Sequence, residues 1–172
     1  YLWLHLLLCL SKPFIISLLN IVINYLYDMS KSFKGIYKPT NPKKYVGNPN
    51  NIVYRSLLER KFMVYCDNNP GITNWASEEL PIRYYNPIDK KYHRYFPDFI
   101  LKTDKGKKML VEIKPSRQTT RPKPPKKKTK SYMRESFEFI KNKAKWSAAT
   151  KYAEDNGAVF KIITEKDLGY SY

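Results

Sequence analysis

The residues best suited to chemistry are two carboxylates and one amine at the ends of two short apolar segments. Asp98 opens the first segment, and Glu112-Ile113-Lys114 closes the second. Residues two apart on a strand share a face, so Glu112 and Lys114 should project together while Ile113 points to the core. A turn at residues 103–106 joins the segments, and the resulting hairpin brings Asp98 near Glu112. We therefore expect two carboxylates to converge beside one ammonium group.

This combination suits metal-dependent cleavage of a phosphodiester. Two carboxylates with open positions around them are typical of Mg²⁺ sites, with Mn²⁺ as a substitute. Such an ion polarises a phosphodiester and lowers the pKa of a bound water, while the ammonium of Lys114 orients that water. The alternative interpretation is a structural salt bridge between Asp98 or Glu112 and either Lys114 or Arg94. The residues by themselves leave both interpretations open.

Glu59 is a third candidate acid. Apolar spacing predicts a helix over Tyr54–Cys66, on which Arg55, Glu59, Phe62 and Cys66 share one face. Glu59 then lies beside an apolar stripe, from which it can reach a metal site on the adjoining sheet. Its alternative role is an ion pair with Arg55 on the helix surface.

The rest of the pattern predicts one α/β domain around a mixed sheet. The further predicted elements are β-rich Ile72–Tyr85, its hairpin partner Tyr92–Phe96, strands Phe99–Leu101 and Met109–Lys114, a helix over Tyr132–Asn156 with a break near Asn142, and strand Ala158–Ile163.

Aromatic residues are expected mainly in the core. Trp146 and Phe137 on the late helix are predicted to be buried. Four tyrosines on the hairpin strands are expected in core or cross-strand packing, with stacking on unpaired bases as the alternative. These tyrosines are Tyr84, Tyr85, Tyr92 and Tyr95.

Charge favours a polyanionic partner. The 172 residues contain 32 Lys+Arg and 15 Asp+Glu, for a formal charge of +17, and all of it lies beyond residue 28. Such a charge favours nucleic acid as a partner, and two cysteines exclude a disulfide scaffold. Seven basic residues fall within a fourteen-residue proline-containing segment, which we predict to be a DNA-backbone-binding loop. They are Arg117, Arg121, Lys123, Lys126, Lys127, Lys128 and Lys130.

The apolar first 28 residues differ in composition from the rest. Their two apolar stretches, Tyr1–Leu10 and Phe14–Tyr27, are shorter than the ~20 residues that span a bilayer as a helix. We expect Met29 to be the true start and residues 1–28 to be translated upstream sequence, with a membrane anchor as the alternative. Residues 29–51 are expected to form a basic arm rich in Pro, Asn and Lys, and residues 52–172 the domain.

Several motifs together resemble the PD-(D/E)XK nuclease superfamily. The helix with Glu59, the hairpin with Pro97-Asp98 and Glu112-Ile113-Lys114, and the closing helix and strand follow its order. Tyr54–Arg60 is similar to the x-S-x-x-E-R helix of the TnsA-like endonuclease branch, and Arg94–Phe99 to its Y-x-P-D-F strand. Size and basicity most resemble the head-completion proteins of myovirus-type tailed phages.

The resemblance implies an α-β-β-β-α-β core and a Mg²⁺-dependent endonuclease acting on packaged double-stranded DNA ends. It also implies metal ligation by Asp98, Glu112, Glu59 and the carbonyl of Ile113, with Lys114 as the catalytic cation. Capsid or portal proteins are the expected partners, no membrane is expected, and the location is the virion or host cytoplasm. The alternatives are a catalytically silent DNA- and portal-binding structural protein and a TnsA-like transposition endonuclease.

Overall fold

The computed structural model describes residues 33–169, and the expectations for residues 1–28 and for a start at Met29 lie outside them. Within the described part, no helix is both long enough and apolar enough to cross a membrane. The strands are β1 (Gly35–Tyr37), β2 (Ile52–Tyr54), β3 (Ile72–Ser77), β4 (Ile82–Asn86), β5 (Lys91–Tyr95), β6 (Phe99–Thr103), β7 (Lys108–Ile113) and β8 (Ala158–Ile163). The α-helices are α1 (Leu57–Asn68) and α2 (Lys130–Asp155), and short 3₁₀ turns cover Pro42–Lys44 and Ser116–Gln118.

The central sheet is mixed, as predicted. Its four strands lie in the order β3-β6-β7-β8, with antiparallel pairing except between β7 and β8. The parallel pair requires a crossover, and α2 supplies it. Strands β4 and β5 form a separate antiparallel ribbon, and β1 and β2 form another.

The two α-helices are packed in different apolar clusters. Phe62, Met63 and Cys66 of α1 contact a cluster that includes Phe99 and Val111. Alternate sheet residues, such as Leu110, instead share a cluster with Ala149 and Ala153 of α2 and with the inner side of the β4–β5 ribbon. Because side chains alternate along β7, Glu112 lies on the α2 side with Leu110.

Helix α1 begins later than predicted. Tyr54 pairs with Gly35 in the β1–β2 ribbon, so the helix cannot include it. Ser56 is the N-cap, and its hydroxyl oxygen accepts a hydrogen bond from the Glu59 backbone N–H at 3.1 Å. The Glu59 carboxylate in turn accepts from the Ser56 hydroxyl, in a reciprocal arrangement of the capping-box type.

Three other predictions need correction. The β-rich segment divides into β3 and β4, because Glu78 adopts a left-handed φ of 55° and Pro81 interrupts pairing. Helix α2 is continuous through Asn142, since no proline or glycine falls between its ends. Phe137 is 46% exposed because it lies on the outer side of α2, whereas Trp146 is buried as predicted.

The described part of the basic arm is joined to the domain by a buried carboxylate. Asp67, at the end of α1, accepts hydrogen bonds from the Tyr37 hydroxyl and from the backbone N–H groups of Thr40 and Asn41, at 2.9, 2.6 and 3.0 Å. Lys44 Nζ donates to the Asp67 carbonyl at 2.7 Å. The carboxylate is fully buried, so these donors replace the water that it loses.

Candidate active site

Asp98 and Glu112 meet where β6 begins and β7 ends. The register pairs Phe99 with Val111, so the residues just beyond that pair are Asp98 and Glu112. Asp98 Oδ2 accepts a hydrogen bond from the backbone N–H of Ile113 at 2.7 Å. This bond fixes the Asp98 carboxylate against the end of β7, next to Glu112.

Lys114 completes the group on the same face. Its Nζ lies 2.9 Å from Glu112 Oε1, and the two side chains are 23% and 3% exposed. Burial alone would lower the pKa of Lys114, but the negative charges of Glu112 and Asp98 outweigh it and raise the pKa. Lys114 is therefore a firmly charged cation at the carboxylate pair. The salt-bridge interpretation is confirmed for Glu112 and Lys114, and it coexists with the convergence of the two carboxylates.

The Asp98 carboxylate is strongly destabilised in its charged form. Burial and the neighbouring charge of Glu112 raise its pKa to about 7, although Lys114 and the N–H of Ile113 oppose the rise. Burial and a like charge both disfavour the ionised form of a carboxyl group, and Asp98 is subject to both.

Sequence reasoning missed the roles of Tyr95 and Lys145. The Tyr95 hydroxyl donates a short hydrogen bond to Glu112 Oε2, and burial followed by the Glu112 charge raises the pKa of Tyr95 far above its usual range. Lys145 Nζ lies 5.5 Å from the centre of the Tyr95 ring and 5.9 Å from that of Tyr84. Burial lowers the pKa of Lys145; the Glu112 charge opposes this effect, and the charges of Lys141 and Lys114 add to it.

A signal for both residues was present in the sequence. Tyr95 occupies an inward position on β5, and a buried tyrosine hydroxyl requires a hydrogen-bond partner. Lys145 interrupts the apolar stripe of α2 that also contains Trp146, Ala149 and Ala153. A lysine in such a stripe indicates a nearby acid, here Glu112.

Glu59 is held at the start of α1 instead of joining a three-acid cluster. Its Oε1 accepts from the Ser56 hydroxyl at 2.9 Å, and its Oε2 from the Arg55 backbone N–H at 2.7 Å. Within residues 33–169, no group of three or more His, Cys, Asp or Glu side chains is close enough to hold a metal ion. The Glu59 charge still contributes to the raised pKa of Asp98. Its role as a third ligand stays a prediction, as does that of the Ile113 carbonyl.

A cleft of about 660 Å³ extends from Lys114 between the basic loop and α2. Its lining has four basic residues against two acidic ones, so its net charge is positive: Lys114, Arg117, Arg134 and Lys145, with Glu135 and Glu138. Arg117 is the predicted loop residue nearest this site in sequence, and the 3₁₀ turn that carries it is joined to Glu165 by the Ser116 backbone N–H at 2.8 Å. The other predicted loop residues are exposed: Arg121, Lys123, Lys126, Lys127, Lys128 and Lys130.

Comparison with known proteins identifies the family to which this chain belongs. The family model for the TnsA-like endonuclease N-terminal domain matches residues 69–165, a segment that contains Asp98, Glu112 and Lys114 and begins after Glu59. The chain therefore belongs to the TnsA-like endonuclease family.

A curated relative shows a more specific similarity within this family. The chain is 38% identical over 141 residues to the head completion nuclease of Enterobacteria phage T4, across 80% of this chain and 94% of the relative. The resemblances to TnsA-like endonucleases and to phage head-completion proteins are thereby confirmed.

The raised pKa of Asp98 predicts a pH-dependent loss of stability in EDTA. Protonated Asp98 favours the folded state, because its folded pKa of about 7 exceeds the ordinary 3.8. That contribution is complete below the ordinary pKa and is lost as pH rises through about 7. An asparagine side chain does not titrate, so between pH 5 and pH 8 wild type should lose about 2 kcal/mol of unfolding free energy relative to Asp98→Asn.

Urea unfolding at several pH values would measure this difference. Asp104→Asn, the same substitution in the exposed turn after β6, should stay parallel to wild type. Parallel curves for wild type and Asp98→Asn would show that the Asp98 carboxylate is not destabilised by its surroundings.

Proposed function

We propose that this chain is a Mg²⁺-dependent DNA endonuclease with Asp98, Glu112 and Lys114 at its active site. The observation that carries the proposal is the carboxylate pair at the β6–β7 end, where Lys114 lies 2.9 Å from Glu112. Burial and the Glu112 charge raise the pKa of Asp98, which is common at functional sites. Membership of the TnsA-like endonuclease family supports hydrolysis of nucleic acid.

The order of elements supports a PD-(D/E)XK fold. In chain order, α1, β3, β6, β7, α2 and β8 follow the α-β-β-β-α-β pattern of that fold. On this interpretation the β4–β5 ribbon is an insertion between the first and second core strands, and it brings Tyr95 to Glu112.

The residues of the pocket fit a hard divalent cation. Burial and, after it, the Glu112 charge raise the pKa of Asp98, and a cation shared with Glu112 would stabilise the charged form of both carboxylates. Carboxylate and carbonyl oxygens are the donors that Mg²⁺ prefers, so Asp98, Glu112 and the Ile113 carbonyl would hold it, with Glu59 as a third acidic ligand or water positioner. Bound Mg²⁺, or Mn²⁺ in its place, would polarise the phosphodiester and acidify a water.

The chain's own residues orient the reacting groups. Lys114 is charged and fixed on Glu112, so its ammonium can hold an attacking water and offset charge on the phosphorus oxygens. Tyr95 holds the other oxygen of Glu112 and so restricts rotation of that carboxylate. Ile113 does the same for Asp98 through its backbone N–H.

Double-stranded DNA would approach along the basic cleft. Arg117 and Arg134 line the cleft that ends at Lys114, and the exposed lysines of the loop extend the positive surface. Basic side chains of this kind bind phosphates without reading sequence.

The T4 relative supports a role in head completion. On that basis we propose that the protein acts on packaged DNA ends before tail joining, with capsid or portal proteins as partners, in the virion or the host cytoplasm.

A nicking assay on supercoiled plasmid tests the proposed endonuclease activity. Wild type with Mg²⁺ or Mn²⁺ should nick, and EDTA should abolish the reaction. Asp98→Asn and Lys114→Met should each slow nicking by at least about a hundredfold, because the first removes a charged metal ligand and the second the cation that orients the water. Asp104→Asn is the matched control and should nick like wild type.

A different result would favour the non-enzymatic alternative. If wild type and Asp98→Asn bind DNA equally well and neither nicks it with either metal, the protein is a catalytically silent DNA-binding component.

Glu59→Gln separates helix capping from catalysis. Glutamine keeps the bond from the Glu59 backbone N–H to the Ser56 hydroxyl and one of the two side-chain acceptor oxygens, so the thermal midpoint should fall only slightly. Loss of the charge should slow nicking about tenfold or more if Glu59 acts on the metal or its water. Unchanged nicking would assign Glu59 to capping alone.

The basic loop should set the salt dependence of DNA binding. Replacing Lys126, Lys127 and Lys128 with Gln should flatten the slope of log affinity against log salt by about 0.9 for each phosphate that the loop no longer neutralises. Replacing Lys105, Lys107 and Lys108 removes the same charge from the far end of the β6–β7 hairpin and should leave the slope unchanged. Equal slopes for wild type and the loop variant would place the DNA elsewhere.

A further inference from the structure

The β4–β5 ribbon has two chemically different faces. Its inner face carries Ile82, Tyr84 and Tyr95, which are buried in the cluster that includes α2. Its outer face carries two cross-strand pairs, one of arginines and one of tyrosines, which the proposed active site does not use. They are Arg83 opposite Arg94 and Tyr85 opposite Tyr92.

The two outer tyrosines stay about half exposed although they pack against each other. Tyr85 and Tyr92 are 47% and 62% exposed. Their rings contact each other edge-on, with centroids 5.3 Å apart, and the guanidinium of Arg83 lies 4.2 Å from the centre of the Tyr92 ring. The expectation of core or cross-strand packing is thus confirmed: Tyr84 and Tyr95 are in the core, and Tyr85 and Tyr92 pack across the strands while staying exposed.

The arginine pair indicates an anionic partner. Like charges directly opposite each other on antiparallel strands are destabilising. Arg83 and Arg94 are both exposed and stand in this relation, with no acidic residue among the four side chains of the outer face. An anion placed between the two guanidinium groups would remove the repulsion, and guanidinium groups match phosphate geometry.

Aromatic rings beside phosphate-binding groups are the combination that binds unpaired nucleotides. Bases inside a duplex are already stacked on both faces, whereas unpaired bases offer a free face to an aromatic side chain. An acidic protein segment would satisfy the arginines but would leave the exposed surface of the two tyrosine rings uncovered.

We propose that the outer face of the β4–β5 ribbon binds unpaired nucleotides at a DNA end or gap. Tyr85 and Tyr92 stack on bases, and Arg83 and Arg94 contact the adjacent phosphates. The inference rests on the proposed function in taking DNA as the ligand. Because Tyr95 on the inner face of the same ribbon donates to Glu112, the ribbon connects this binding face to the catalytic carboxylate.

Anisotropy titrations in EDTA would test the proposal without cleavage. The two probes are a blunt duplex and the same duplex with a short single-stranded overhang. Wild type should bind the overhang probe more tightly. Tyr85→Leu and Tyr92→Leu should each weaken binding of the overhang probe by about fivefold or more and leave the blunt duplex unaffected.

Two sets of variants control for folding and for general loss of a tyrosine. Tyr85→Phe and Tyr92→Phe keep the ring and should bind like wild type. Tyr65→Leu removes a similarly exposed tyrosine, 49% exposed on α1, and should bind both probes normally. Arg94→Gln should weaken overhang binding and reduce its salt slope by about one unit.

Several outcomes would overturn the inference. They are equal wild-type affinity for the two probes, loss of duplex and overhang binding together in the leucine variants, or competition by polyglutamate that the leucine substitutions abolish. The last would reassign the face to an acidic protein. Each leaves the nicking result for Asp98→Asn intact, whereas failure of wild type to bind either probe would overturn the proposed function as well.

Discussion

The register between β6 and β7 is the constraint on which the candidate site depends. It sets Asp98 against the end of β7, where the N–H of Ile113 holds it at 2.7 Å, and it leaves Glu112 as the next acid on the same face. A shift of one residue would turn Glu112 to the opposite face of the sheet and separate the carboxylates. Since that opposite face packs on α1, the shifted register would also bury a charge among apolar residues.

Contacts from neighbouring side chains hold the carboxylate pair in place. Tyr95 and Lys114 take different oxygens of Glu112, and they arrive from different elements, the β4–β5 ribbon and the segment after β7. Lys145 comes from α2 and covers the Tyr95 ring. The site is therefore assembled from β7, the β4–β5 ribbon and α2, so its geometry depends on correct packing of these elements.

Local patterns predicted the carboxylate pair because alternation and a short turn suffice to define a hairpin. They also predicted β8 over Ala158–Ile163 and burial of Trp146. They did not predict the start of α1. Tyr54 pairs with Gly35, nineteen residues earlier, and no local sequence pattern indicates this strand pair. The split between buried and exposed tyrosines was missed for a related reason. Alternation defines two faces of a ribbon, but only the tertiary position of α2 decides which face is covered.

The basic surface offsets the repulsion that the acidic pocket exerts on a polyanion such as DNA. A pocket that holds two carboxylates beside one ammonium repels phosphate, and burial together with the Glu112 charge raises the pKa of Asp98 in the same pocket. Placing more lysines inside the pocket would relieve the repulsion, but it would also remove the excess negative charge that favours a divalent cation. The positive side chains of Arg117 and Arg134 instead line the approach to Lys114, and the exposed lysines of the loop lie further along the chain. Attraction of a polyanion is thereby separated from the chemistry, because the field of the surrounding surface acts over about 10 Å whereas metal ligation requires direct contact.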